Sequence, residues 1–333
     1  MAGNKNQKLK LLYLLDILAH KSDEENPLSA LEICELLNEV GITAERKSIY
    51  KDISVIRDFG YDIIATKTPK AGFFMSQREF ELPEVRLLMD AVQSASFITP
   101  KKTHELIQKL NTLVSEKQAL VLQNQIYVDS RIKHGNEEIY YNIDNINTAI
   151  SKGCKITFKY IRRQIDLKTK ARSETKVFTV SPYALLWSND HYYLISNNEK
   201  YDDLMHLRVD RMKGVTLLED VPVRHFSEVS DYKKSFDTAD YANKTFNMFG
   251  GEVKTVEIRC ANSMLEEVFD RFGPEVPIRM SGADHFVFRI NAMLSEGLVS
   301  WIISFGLVEV IAPIELRRMV TERVKRLTEV YKV

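Results

Sequence analysis

The amino-acid sequence predicts a multidomain α+β protein, and three observations lead to that fold class. First, 333 residues exceed the usual length of one domain. Second, 44% of the residues are hydrophobic and 28% are charged, which excludes disordered, collagenous and coiled-coil chains. Third, helical periodicity prevails in the first half of the chain, whereas short strands with tight turns prevail in its centre.

The N-terminal segment predicts two helices. Leucine side chains recur throughout residues 7–20 and mark a buried helix. Ser29 and Glu32 have the spacing of a capping box, which predicts that a second helix starts there. Gly41 ends that helix, as a glycine after the last helical turn commonly does.

A third helix and a β-hairpin follow. The helix is predicted over residues 45–59, because three isoleucines are spaced i, i+4 and i+7, and Gly60 stops it. Strands at 61–66 and 72–76 flank a turn. Two helices, a tight turn, a third helix and a hairpin form the element order of a winged helix-turn-helix.

The face of the third helix opposite its isoleucines, together with the hairpin tip, presents hydrogen-bond donors. They suit phosphates and base edges, so DNA binding is predicted. The predicted DNA-binding side chains are Arg46, Lys47, Ser48, Tyr50, Lys51, Ser54, Lys67 and Lys70. A solvated amphipathic helix stays open as the alternative, because Glu45, Asp52 and Asp58 lie on the same helix.

The third helix also carries a motif that resembles a known family. The motif reads Glu45-Arg46-Lys47-Ser48-Ile49-Tyr50-Lys51-Asp52-Ile53, followed by Gly60-Tyr61-Asp62-Ile63. It resembles the recognition helix of DeoR-type bacterial regulators, with Lys in place of Arg at positions 47 and 51. The resemblance implies that this helix reads DNA and that Asp52 turns inward as a structural partner.

Two amphipathic helices are predicted between the hairpin and residue 140. The first starts at Glu81 and is broken by Pro100, and the second covers residues 103–120. Neither carries a titratable cluster, so we expect a linker that packs on itself or on a second subunit. A homodimer is expected, because helix-turn-helix proteins usually read two half-sites.

The central segment is basic in an otherwise balanced chain. Residues 151–217 hold 13 basic and 7 acidic residues, whereas the whole chain holds 46 of each, which favours a local anion-binding surface. A solvated charged hairpin over 162–176 is the alternative.

A short helix at 142–152 precedes five strands that predict a small, strongly bent barrel. The strands are predicted at 155–161, 176–188, 191–196, 204–209 and 212–218.

Polar side chains on two of these strands form a predicted ligand site. Alternation places His206 and Arg208 on one face, with Arg211 just beyond, and Ser181 and Tyr183 share a face of another strand. Hydroxyl and guanidinium groups together suit a phosphate-bearing ligand. The alternative is that the two arginines only form ion pairs with the aspartates at 202, 203 and 210.

Three runs in this segment resemble the WYL domain. They are Ser181-Pro182-Tyr183-Ala184-Leu185, His191-Tyr192-Tyr193-Leu194 and His206-Leu207-Arg208-Val209-Asp210-Arg211-Met212. Tyr192 stands where the family usually has Trp. The resemblance implies an SH3/Sm-like barrel that senses a nucleotide or single-stranded nucleic acid. Its pocket would use the five residues named above, with Tyr193 and Leu194 in the core.

The C-terminal segment predicts a polar helix over 225–249 and then a β-α-β-β-α-β order, which is ferredoxin-like. The run Trp301-Ile302-Ile303-Ser304-Phe305-Gly306, with Glu309, Val310 and Pro313, resembles the C-terminal extension, WCX, that follows many WYL domains.

Several classes of protein are disfavoured. The sequence contains no Walker loop, Rossmann glycine pattern, His-Glu-x-x-His run or nucleophile elbow. Three distant cysteines and seven scattered histidines give no metal spacing, so neither a metal nor a cofactor is expected. The N-terminus lacks a signal-peptide pattern, and the longest apolar region, 298–312, is too short to span a bilayer. We expect a cytoplasmic protein.

These observations predict a DNA-binding transcriptional regulator, with repression as the expected direction. It would read double-stranded operator DNA as a homodimer. The predicted domains are a winged helix at 1–78, a helical linker at 79–140, a WYL domain at 141–220 and a WCX-like domain at 221–333. A nucleic-acid-sensing interaction protein is the alternative, and a nucleotide-processing enzyme is disfavoured because no nucleophile–base pair is present.

Overall fold

The computed structural model describes residues 2–125, 133, 135–165 and 172–332. The chain forms two compact units, residues 1–137 and 138–333. The predicted hairpin over 162–176 lies partly outside the described residues. Within the described part, no helix combines the length and the apolar character that crossing a membrane requires.

The first unit begins with three helices and a β-hairpin, in the predicted order. These elements are α1 (Ala2–Lys21), α2 (Ala30–Glu39), α3 (Arg46–Phe59), β1 (Ile63–Thr66) and β2 (Gly72–Met75). The capping box is confirmed, because the Glu32 amide donates to Ser29 Oγ at 3.2 Å and the Ser29 amide donates to Glu32 Oε2 at 2.8 Å. Gly60 ends α3 with a φ of 117°, a left-handed conformation that glycine adopts easily.

The core of this three-helix assembly lies beneath α3. Ile49, Ile53 and Ile56 are buried, as their spacing predicts, and pack with leucines and isoleucines from α1 and α2. Phe73 of β2 joins the same cluster, which fixes the hairpin against the helices. Each fully buried isoleucine contributes about 2–3 kcal/mol of apolar transfer free energy, so the inward face of α3 is strongly specified.

Three further helices complete the first unit: α4 (Leu82–Ser94), α5 (Pro100–Asn111) and α6 (Glu116–Gln125). Pro100 begins α5, since proline is favoured in the first turn of a helix. The prediction of one helix over 103–120 is wrong. The chain turns after Asn111, and the buried Ser115 caps α6 while its hydroxyl donates to the Asp23 carboxylate.

The second unit begins with α7 (Ile139–Lys152) and a five-stranded antiparallel sheet. The strands are β3 (Cys154–Gln164), β4 (Arg172–Ser188), β5 (His191–Asn197), β6 (Met205–Arg208) and β7 (Met212–Pro222), in the order β6-β5-β4-β3-β7. The first half of β4 pairs with β3 and its second half pairs with β5. A 3-10 turn, Val209–Arg211, joins β6 to β7.

The segment after β7 differs from the prediction. A helix over 225–249 is wrong, since this stretch contains a 3-10 turn, Phe226–Glu228, and one short helix, α8 (Thr238–Lys244). The polar residues that lie between the aromatic residues of this stretch were the reason for predicting a solvated helix. In the structure those aromatic rings instead pack on the β4 and β6 side chains described below.

The C-terminal part has the predicted β-α-β-β-α-β order. Its elements are β8 (Val253–Ala261), α9 (Leu265–Phe272), β9 (Ile278–Met280), β10 (His285–Met293), α10 (Glu296–Phe305), β11 (Val308–Ala312) and α11 (Ile314–Tyr331). The antiparallel sheet runs β11-β8-β10-β9. Buried residues of α9, α10 and α11 pack on one face of this sheet, which carries Ile258 and Phe288.

Candidate nucleic-acid and ligand interfaces

The outer face of α3 is a candidate nucleic-acid interface. Arg46, Lys47, Tyr50, Lys51 and Ser54 follow the i, i+1, i+4, i+5, i+8 spacing of one helix face and are exposed. Within the described part of the chain, none of the three basic side chains forms an ion pair with a carboxylate. The buried isoleucines on the other side leave this face directed at solvent.

Two neighbouring residues of α3 are engaged inside the unit. Lys10 Nζ lies 2.7 Å from Asp52 Oδ2, so the carboxylate turns toward α1 as the DeoR-type resemblance implies. Ser48 Oγ donates to the Glu45 carbonyl at 2.8 Å and accepts from Lys10 Nζ at 3.3 Å. The Ser48 hydroxyl proton is therefore already used in a hydrogen bond at the start of the helix. The neighbouring basic side chains, Lys47 and Lys51, form no ion pair with a carboxylate among the described residues.

The two predicted DNA-binding lysines of the hairpin differ in their surroundings. Lys67 is exposed at the turn, whereas Lys70 Nζ donates to Glu32 Oε1 at 2.5 Å. This hydrogen bond, together with those from Ser29, lowers the pKa of Glu32 to about 2. Tyr50 is 52% exposed, and its ring lies edge-on to that of Phe73 with 5.5 Å between the ring centroids. One side of the Tyr50 ring therefore contacts the hairpin, and the other side is open to solvent.

The structure brings two of the five predicted ligand residues to one backbone position. The Arg224 amide donates to Ser181 Oγ at 3.0 Å, and Tyr183 Oη donates to the Arg224 carbonyl at 2.8 Å. Burial raises the pKa of Tyr183 to about 12, so its hydroxyl keeps its proton and remains a donor. Both side chains therefore clamp the chain just after β7.

His206 lies in a separate environment. Its Nε2 is 2.7 Å from the hydroxyl of Tyr241 in α8. Burial lowers the pKa of His206 to about 4, so the imidazole is neutral at physiological pH. Neutral and hydrogen-bonded, it offers no positive charge to a phosphate.

Arg208 forms the ion pair that the alternative interpretation anticipated. Its Nε donates to Asp210 Oδ1 at 3.0 Å and its Nη2 donates to Oδ2 at 2.8 Å. Nη2 also lies 3.3 Å from His191 Nδ1. Arg211 is exposed, and within the described residues no carboxylate pairs with it.

A layer of four aromatic side chains, which sequence reasoning missed, packs against two of the predicted ligand residues, Tyr183 and His206. This aromatic strap consists of Phe226, Tyr232, Phe236 and Tyr241. Phe226 and Phe236 have ring centroids 6.2 Å from that of Tyr183, and Tyr241 contacts His206. The concentration of aromatic residues between β7 and β8 was the available signal, because such rings are rarely left solvated.

A cavity of about 300 Å³ opens beside Ser181. It is lined by the start of β3, the middle of β4 and the end of β5, including Lys155 and Asn197. The Lys155 side chain is only 9% exposed and forms an ion pair with the exposed carboxylate of Glu199. The predicted ligand residues thus lie in different environments: Ser181 and Tyr183 against Arg224, His206 against α8, Arg208 paired with Asp210, and Arg211 exposed. Among the residues that the structure describes, no group of three or more His, Cys, Asp or Glu side chains could hold a metal ion.

Comparison with solved structures gives distant likenesses. Proteasome accessory factor B/C (PafBC) of Arthrobacter aurescens is 16% identical, and the match covers 99% of this chain and 48% of that chain with a TM-score of 0.28. The chain thus spans about half the length of that structure. A crystal structure of a CRISPR Cas-related protein is 13% identical, with 97% and 85% covered and a TM-score of 0.37. A search of curated proteins found no match.

Two family models match within the second unit. The model described as WYL domain matches residues 141–217, which cover most of α7, all of β3 to β6 and the first half of β7. The model described as WCX domain matches residues 252–328, which include the β11-β8-β10-β9 sheet. The DeoR-type resemblance of α3 remains a prediction. The chain therefore contains a WYL domain followed by a WCX domain.

Proposed function

We propose that the protein is a DNA-binding transcriptional regulator. The observation that carries this proposal is the outer face of α3, where Arg46, Lys47 and Lys51 are exposed around Tyr50 while the opposite face is fixed in the core. A helix of this kind enters the major groove and contacts base edges and phosphates. In this proposal residues 1–78 form a DeoR-type winged helix, residues 79–140 form a helical linker, and Lys67 contacts the DNA backbone beside the groove.

We infer that the WYL domain, an SH3-like barrel, senses a phosphate-bearing ligand such as a nucleotide or single-stranded nucleic acid. Arg211 offers an open guanidinium, and Arg208 offers a second one if the ligand phosphate replaces Asp210. The ligand would meet Ser181 at the cavity beside it and would reach Tyr183 and His206 by moving the aromatic strap, which supplies a physical route from ligand binding to a change of conformation. Regulation requires that the ligand bind one conformation better than the other.

The regulator would act as a homodimer on a nearly palindromic operator, because two copies of α3 can read two half-sites. Repression is the proposed direction, since a dimer on a promoter blocks access to it. The protein would carry out no chemical step, and its response would come from binding alone.

The test is titration of the full-length protein against labelled duplex fragments from its own upstream region, with excess competitor DNA. The variant Lys47→Ala/Lys51→Ala should lose specific duplex binding, because both lysines contact phosphates or bases in this proposal. The variant Lys101→Ala/Lys109→Ala is the matched control, since it also removes two lysines, and both are exposed on α5. Its affinity should be unchanged. Equal affinity of the α3 variant and the wild type would contradict the proposal.

A further inference from the structure

A cavity of about 530 Å³ lies within the first unit, between α1 on one side and α5 and α6 on the other. This size is typical of sites that bind small organic molecules. The C-terminal turns of α1 and α5 and the first turns of α6 line it. We call it the α1–α6 cavity, and its lining includes Asp16, His20, Asn111, Val114, Glu116 and Leu120.

Asn111, the last residue of α5, gives this cavity a hydrogen-bond acceptor without a donor. Its Oδ1 is buried, and within the described part of the chain no group donates a hydrogen bond to it. A buried carbonyl oxygen that lacks a donor is costly, so such atoms are rare in native proteins. An N–H group of a bound molecule would satisfy this oxygen.

The charged groups around the α1–α6 cavity favour a cation. The carboxylates of Asp16 and Glu116 belong to its lining, and the C-terminal ends of α1 and α5 add the partial negative charge of the helix dipole. His20 Nδ1 lies 3.0 Å from the Asp16 carbonyl oxygen and 3.1 Å from Asp16 Oδ1, so a proton on that nitrogen is used within α1. Among the described residues that line the cavity, only Lys21 carries a fixed positive charge.

Part of the cavity wall is apolar. Val114 is 1% exposed and belongs to the core of α4, α5 and α6, whereas Leu120 is 58% exposed. An exposed leucine in a cavity wall is apolar surface that a ligand removes from water, which favours binding. The cavity thus combines hydrogen-bond acceptors with apolar surface, and this combination fits an amphipathic molecule.

We propose that the α1–α6 cavity binds a small organic cation, namely a primary amine that carries a compact apolar group. An ammonium group has three N–H donors, which match Asn111 Oδ1 and the carboxylates of Asp16 and Glu116. The apolar group packs on Val114 and Leu120. The site goes beyond the proposed function, because it lies neither on the outer face of α3 nor in the WYL domain.

The α1–α6 cavity borders the helix on which α3 packs. Leu14, Ile17 and Leu18 of α1 lie in one core cluster with the isoleucines of α3. Asp16 and His20 of the same helix line the cavity. A bound amine therefore contacts α1 on its other side and connects it to α5 and α6.

The test is isothermal titration calorimetry of the full-length protein at neutral pH, without DNA and with phenethylamine as the probe. We expect saturable binding. Phenethyl alcohol and 3-phenylpropionate carry the same ring without a positive charge. Each should bind about tenfold or more weakly, because hydrogen bonds from a charged donor are about twice as strong as those from a neutral one.

Substitutions of Asn111 test the acceptor in both directions. Asn111→Leu keeps a similar volume and removes the acceptor, so phenethylamine should bind about tenfold or more weakly. Asn111→Asp adds a negative charge at the same position, and binding should tighten. Asp16→Asn should weaken binding about two- to fivefold, as the loss of an exposed ion pair does. The matched control Asp90→Asn removes an exposed carboxylate of α4 and should leave the affinity unchanged.

Three results would overturn this inference. The first is the absence of saturable phenethylamine binding to the wild type at millimolar concentration. The second is equal affinity for phenethylamine and 3-phenylpropionate, which would show that the cavity does not select a cation. The third is equal weakening by Asn111→Leu and Asn111→Asp, which would show that the side-chain oxygen is not the acceptor. Because no DNA is present, these results do not depend on duplex binding by α3.

Discussion

Lys10 and Asp52 determine how much positive charge α3 presents. Their ion pair is 13% and 16% exposed at the two side chains, and it removes one carboxylate from the outer face of the helix. The charges that remain in the first two turns are those of Arg46, Lys47 and Lys51. The motif around Asp52 predicted its inward orientation, but its partner lies on a different helix and could not be named from a local pattern.

His206 makes a prediction about stability against pH. Its pKa is about 4 in the folded protein and 6.5 in an exposed histidine, because burial disfavours the charged ring. Between these values the unfolded chain binds a proton that the folded chain does not, so the free energy of unfolding falls as the pH falls. From pH 7 to pH 5 we expect a loss of about 2 kcal/mol, measured by urea denaturation.

Two histidine variants control this measurement. His206→Gln cannot titrate, so its free energy of unfolding should vary less between pH 7 and pH 5 than that of the wild type. His225→Gln removes a histidine whose ring is exposed, and the variant should behave as the wild type does. The same pH dependence in the wild type and in His206→Gln would show that His206 titrates normally.

At the scale of elements, the aromatic strap packs the segment between the two matched domains against β4. Phe236 contributes most, since its ring contacts those of Tyr183, Phe226, Tyr232 and Tyr241 at centroid distances of 5.0–6.2 Å. These contacts join α8 to β4 without forming the regular helix that the polar composition of the segment predicted. Side chains rather than backbone periodicity determine the course of this segment.

We expect Phe236→Ala to destabilise the second unit by about 2 kcal/mol, below the 3–5 kcal/mol of a fully buried phenylalanine because the ring is partly exposed. Chemical denaturation followed by circular dichroism would measure the change. Tyr201→Ala removes a ring that is 60% exposed and should cost well under 1 kcal/mol. If the two substitutions cost the same, the strap is not packed as the structure shows.

The elements that the sequence predicted well are those with a complete local pattern. Isoleucines at i, i+4 and i+7 with a terminal glycine predicted α3, and the capping box predicted the start of α2. The break before Ser115 was missed, although Ser115 and Gln118 have the spacing of a capping box and hydrogen-bond reciprocally at the start of α6. The contact of Ser115 with Asp23, far apart in the chain, leaves no periodic trace in a sequence.

At the scale of the whole molecule, the net charge of a chain segment does not tell how charged groups are arranged in the structure. Residues 151–217 have a basic excess, yet Arg208 there is neutralised by Asp210. Residues 218–333 hold 15 basic and 18 acidic residues, yet four of their arginines, Arg259, Arg279, Arg289 and Arg317, share the two carboxylates of Glu257 and Glu309. Counting charges along the chain predicted an anion-binding surface in residues 151–217, and this surface stays a prediction. Such a count cannot show which charges meet, because strand pairing decides that.

The central claim is that α3 contacts duplex DNA through its exposed lysines, and the salt dependence of duplex affinity tests it most directly. Each phosphate contact contributes about 0.9 to the slope of log affinity against log salt concentration on B-form DNA. If Lys47 and Lys51 both contact phosphates, the variant Lys47→Ala/Lys51→Ala should lower the magnitude of the slope by about 1.8. The Lys101→Ala/Lys109→Ala control should keep the slope of the wild type. An unchanged slope in the α3 variant would contradict the claim.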